Sequence, residues 1–142
     1  MSNIHRALAI GCLPDIFVLE EEFESLSDLS VSLLDVIPDV GNFLEGELNR
    51  AQLLPRSTFP RDVVTMNSTV EFQWGAEQRT QTLRLVFPEN YIPDGTRVSI
   101  ASPVGVALLG MCVGQSIGWL SRTGAKISLK VLKIIPVCHQ PK

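Results

Sequence analysis

The chain has 142 residues, 45% of them hydrophobic and 19% charged. That length suits one domain or two very small ones, and the composition excludes a disordered chain. The net charge of -3 gives no overall basic excess to hold phosphates, so no direct sequence-specific nucleic-acid partner is expected.

The charge is unevenly placed. Residues 1–50 carry ten acids against two bases, and residues 51–142 carry five acids against ten bases. Such a split points to two segments that meet different surroundings. No apolar run reaches the roughly 18 residues of a membrane helix, so no membrane partner is expected. The apolar stretch at 7–13 follows Arg6 and ends abruptly at Pro14-Asp15, which is short for a signal core. Cys12, Cys112 and Cys138 are odd in number and distant in sequence. That pattern fits reduced thiols in a cytoplasmic protein better than a disulfide scaffold.

In chain order, residues 16–34 predict a helix. Ile16, Leu19, Phe23, Leu26 and Leu33 recur at helical spacing, and the acids from Glu20 to Glu24 suit a helix start. The run Asp35-Val36-Ile37-Pro38-Asp39 breaks it, and Pro38 can open a second helix over 38–54. Val40, Phe43, Leu44, Leu48 and Ala51 mark its apolar face, with Glu47 out of character. Gly41 and Gly46 each weaken it by about 1 kcal/mol relative to alanine. A short break between amphipathic helices predicts an antiparallel hairpin. Asp35 and Asp39 then flank its projecting tip.

Residues 55–61 hold Pro55 and Pro60 and read as a linker. From residue 62 the period becomes two. Val70, Phe72 and Trp74 alternate with polar residues, and 80–87, 97–100, 116–120 and 126–132 read as further strands. Between the third and fourth strands Ser102 is an N-cap, Pro103 a first helical residue and Gly110 a stop. About five strands and one short helix make an α+β domain over 62–142, preceded by the hairpin segment over 1–54.

The residues offer little enzyme chemistry. His5 and His139 stand at opposite ends, and no metal-ligand spacing is present. No phosphate-cradling glycine motif occurs. Cys112 sits in an apolar setting that reads as core. No catalytic residue, cofactor, metal or small-molecule substrate is therefore assigned. Asp35 and Asp39 could share a divalent ion if another molecule completed its shell; a turn residue at Asp35 and a solvated helix start at Asp39 are the plainer account. Lys126 and Lys130 share a strand face with Ser128. That face is either plain solvent-side sheet or a surface for an acidic protein partner.

Two segments carry a resemblance. Asp62-Val63-Val64-Thr65-Met66-Asn67-Ser68 and Ser102-Pro103-Val104-Gly105-Val106-Ala107-Leu108-Leu109-Gly110-Met111-Cys112-Val113-Gly114 resemble the C-terminal domain of the Gre transcript-cleavage factors. With Leu48-Asn49-Arg50-Ala51-Gln52 they look most like the short-armed, Rnk-type members of that family. The resemblance covers roughly residues 40–135. It implies an FKBP-like α+β domain behind a shortened helical hairpin, and RNA polymerase as the protein partner, docked at the rim of its secondary channel. It places docking at Ser102, Pro103, Val104 and Gly105, with Pro103 foremost. In long-armed members an acidic pair at the tip helps hold a catalytic Mg²⁺ in the polymerase. The short arms here imply a regulator that competes with longer factors without stimulating cleavage. Ala101 departs from the polar or acidic residue frequent at that position in Gre factors.

Two alternatives stand beside this reading. One is a true cleavage factor acting through Asp35 and Asp39. The other is a peptidyl-prolyl isomerase, suggested by the fold, although Phe72, Trp74, Phe87, Tyr91 and Trp119 fall mostly at core-type positions.

Overall fold

The computed structural model describes residues 9–10, 14–75, 77–121 and 123–135, with Ala9 and Ile10 described by backbone alone. His5, Cys12, Cys138 and His139 lie outside the described residues. Of the apolar stretch at 7–13, only the pair Ala9–Ile10 is described, as strand β1.

The α+β class and the helical hairpin hold. Helix α1 spans Glu20–Val36 and α2 spans Pro38–Arg50, joined through Ile37 alone. The Ile37 amide donates to the Leu33 carbonyl at 2.7 Å, and the Gly41 amide donates to the Ile37 carbonyl at 2.9 Å. Proline at the first position of α2 suits this reversal, because its missing N–H would have had no helical acceptor. A side chain at Gly41 would put its Cβ 2.7 Å from the Leu34 nitrogen. The arms therefore touch backbone to backbone beside the turn.

Both helices are shorter than their apolar spacing predicts. Phe17–Leu19 forms strand β2 and Gln52–Leu54 forms strand β3, and the two pair in parallel at the base of the hairpin. Ile16 and Leu19 are buried with helical spacing, but their backbone is claimed elsewhere. The Gln52 amide donates to the Ile16 carbonyl at 3.0 Å, and the Phe17 amide donates to the Gly110 carbonyl at 3.1 Å.

After a 3-10 turn at Arg56–Thr58 come β4 (Thr69–Trp74), β5 (Arg79–Val86), β6 (Arg97–Ser99), α3 (Pro103–Leu108), β7 (Ser116–Leu120) and β8 (Lys126–Ile135). The sheet order is β1-β7-β8-β4-β5-β6, one strand more than expected because β1 adds to the edge of β7. The β5–β6 pair is parallel and the remaining pairs of this sheet are antiparallel. A bulge shifts the β4–β8 register between Glu71 and Phe72 and lets β8 run past its expected end. Inward residues Val70, Phe72, Leu85, Leu129 and Val131 join Leu26, Leu33, Phe43 and Leu44 of the hairpin in one buried cluster. The hairpin thus lies against the sheet instead of standing clear of it.

Candidate functional site

The two motif segments have mainly architectural tasks. In the first, Asn67 takes φ 71, a left-handed conformation that asparagine tolerates. The turn is closed by Ser68, whose Oγ accepts from the Thr65 amide at 3.0 Å, while the Asn67 amide donates to the Leu85 carbonyl at 2.6 Å. In the second, Gly110 takes φ 81, and a Cβ there would lie 2.9 Å from the Ile16 Cβ. That is where the hairpin base meets the sheet portion.

Ser102 caps α3 as its sequence predicts. Its Oγ donates to the Ser99 carbonyl at 2.6 Å and accepts from the Gly105 amide at 3.1 Å. Gly105 is buried, and a Cβ on it would lie 2.0 Å from the Ser99 oxygen. The Val106 amide donates to the Ser102 carbonyl at 2.9 Å. The Gly105 and Val106 amides are thus both used within the fold. Of the four residues singled out there, Pro103 is exposed, Ser102 and Val104 are half-buried, and Gly105 is buried. The corner is a rigid mount that presents Pro103.

Pro103 stands on the rim of an apolar cleft of about 420 Å³. The hairpin tip contributes Ile37, Asp39, Val40 and Phe43; the strands contribute Trp74, Trp119 and Leu120. Phe43 packs on Trp119 with ring centroids 6.1 Å apart, and the Trp74 Nε1 donates to the Gln81 Oε1 at 2.6 Å. The structure thus gathers the Ser102–Pro103 corner and the tip around one cavity, although they lie over 60 residues apart. Trp74 was legible as an in-phase strand residue. Its place in the cleft was not, because that depends on where the hairpin stops covering the sheet.

The two tip acids part company. Asp39 is half-buried and lines the cleft, whereas Asp35 is exposed on α1 and is not part of the lining. Among the described residues, no group of three or more His, Cys, Asp or Glu is placed to hold a metal ion.

Near the hairpin base, Glu47 explains itself. It is 1% exposed and accepts from both Nε and Nη2 of Arg50, at 2.9 and 2.8 Å. Arg50 Nη1 also donates to the Pro14 carbonyl. Glu22, at the start of α1, accepts from the Met66 amide at 3.4 Å. Burial pushes its carboxyl above the usual glutamate range, against the smaller opposing pull of that amide and of Arg56.

The model of the C-terminal part of the GreA/GreB transcription elongation factors matches residues 59–136. A relative from Escherichia coli K12, named "Regulator of nucleoside diphosphate kinase", is 34% identical over 117 residues, covering 77% of this chain and 86% of its own. A GreA from Solidesulfovibrio magneticus is 30% identical over 54% of this chain and 46% of its own length. Among solved structures, a "Prokaryotic transcription elongation factor GreA/GreB from Nitrosomonas europaea" is 34% identical, with a TM-score of 0.67 over 86% of this chain and 98% of that one.

Proposed function

Because this chain belongs to the GreA/GreB transcription elongation factor family, we propose that it is a non-enzymatic regulator that binds RNA polymerase. It docks at the rim of the secondary channel through the corner at Ser102 and Pro103, in the cytoplasm. There it competes with longer-armed members of the family and does not stimulate transcript cleavage. The observation that carries the reading is the exposed Pro103, held rigid by the Ser102 cap beside the hairpin tip.

The dimensions support the second half of the proposal. Helices of 17 and 13 residues measure about 25 and 20 Å at the usual helical rise. Their inner faces are buried against the sheet, so their reach beyond the body is shorter still. Asp39 lines the cleft whereas Asp35 is exposed and outside its lining, so the cleft does not gather the two carboxylates as a pair.

The test is capture of core RNA polymerase by the full chain. Binding at micromolar concentration is expected, and Pro103→Asn should weaken it about tenfold, or about 1.4 kcal/mol, with an unchanged melting temperature. Absence of binding would overturn the docking claim. In backtracked complexes the protein should not accelerate RNA cleavage and should slow cleavage driven by a longer-armed factor. Acceleration that disappears in Asp39→Asn would replace this reading with that of a cleavage factor.

A further inference from the structure

The sheet has a second face, which no helix covers among the described residues. Outward positions on β8 are Lys126, Ser128 and Lys130, all exposed. Strict alternation would turn Lys133 inward. The bulge restores the parity and sets Lys133 opposite Glu71 while Lys130 stands opposite Gln73. Cross-strand pairing continues the row from Lys130 to Ser116 on one side, and from Gln73 to Thr80 on the other. Arg84, opposite Thr69 on β5, is exposed as well. Lys126, Lys130, Lys133 and Arg84 belong to none of the salt bridges among the described residues. Glu71 is the acid that this face sets among them.

The complementary surface is on the same chain. Glu20, Glu24 and Asp28 repeat every fourth residue on the exposed side of α1, and none of them joins those salt bridges either. Glu21 beside them is already bound by Arg56, whose Nη2 lies 2.7 Å from its Oε2. The two rows also agree in length. Glu20 to Asp28 spans about 12 Å of helix, and Lys126 to Lys130 spans about 13 Å of strand.

The row and its complement face opposite ways. The hairpin packs on the inner face of the sheet, so the acidic side of α1 points away from the lysines of its own chain. An intramolecular pairing is therefore excluded by the fold.

We propose that the lysine row on the outer sheet face seats the acidic side of α1 from a second copy of this chain. The interface is heterologous, so its geometry adds chains head to tail instead of closing at a two-fold dimer. Each pair is solvent-exposed and weak alone, so association is reversible and salt-sensitive. It hides α1 when the protein is abundant and releases it on dilution. This inference does not depend on the polymerase reading.

Sedimentation velocity of the full chain tests it. At about 0.01 M salt the weight-average mass should climb with concentration toward two or more chains, and at about 0.5 M salt it should fall back to one. The paired changes Lys126→Glu with Lys130→Glu, and separately Glu24→Lys with Asp28→Lys, should each leave a monomer with a native circular dichroism melt. Mixing the two variants restores both complementary contacts and should restore association. A wild-type monomer at every concentration in low salt overturns the proposal, as does a mixture that stays monomeric. Loss of polymerase capture by the lysine variant, with wild type monomeric throughout, would assign the face to polymerase and overturn it equally.

Discussion

Glu22 shows how one carboxylate at the foot of the hairpin couples the fold to pH. Its folded pKa is raised, chiefly by burial. The folded state therefore holds its proton more tightly than the unfolded state, and stability from this group is present below the unfolded pKa and lost as pH rises through the folded one. Glu22→Gln should accordingly be more stable than wild type at pH 7. The advantage should shrink as pH falls through the glutamate range, which urea denaturation at several pH values will read. Arg50 works in the other sense. Removing it strands the Glu47 carboxylate, 1% exposed, without its guanidinium partner. Arg50→Ala should cost about 3 kcal/mol or more in chemical denaturation. This pair was hard to see in sequence, where Glu47 is an acid interrupting an apolar helical face. The partner three residues on resolves the anomaly once the helix is in place.

Among the elements, those governed by local spacing were the legible ones. The alternation of Val70, Phe72 and Trp74 became β4, and the Ser102–Pro103 start became α3, with its cap made as the residue types predict. Elements created by distant pairing were not legible. Ile16 and Leu19 repeat with a helix's period, yet the chain there is extended because residues 52–54 offer a parallel partner. The continuation of β8 past residue 132 depends on a bulge against β4, which no local pattern announces. Of the candidate site, the Pro103 corner could be read from residues alone; its cleft, shared with the hairpin tip, could not. Gly41 likewise looked like a weakness in α2, and the structure gives it a purpose at the crossing of the arms. Alanine is the better helix former by about 1 kcal/mol, but here its methyl would strike the backbone of α1. Gly41→Ala should therefore lower stability by about 1–3 kcal/mol, measured by thermal unfolding, and reverse the usual sign of this exchange.

For the molecule as a whole, the shared core predicts a shared fate. Leu26, Leu33, Phe43 and Leu44 of the hairpin are buried with Phe72, Val131 and Trp119 of the sheet. Helical circular dichroism and tryptophan fluorescence should then report one coincident transition. Phe43→Ala should move both signals together, by about 3–5 kcal/mol, and a helix signal that melted first would refute the shared core. The same coupling has a directional consequence at Gly110, where the hairpin base and the sheet segment meet with no room for a side chain. The hairpin has no wrist. Its bearing is inherited from whatever grips the body, so a partner that holds the Pro103 corner also decides where the tip aims. Re-aiming it requires turning the entire protein on its mount.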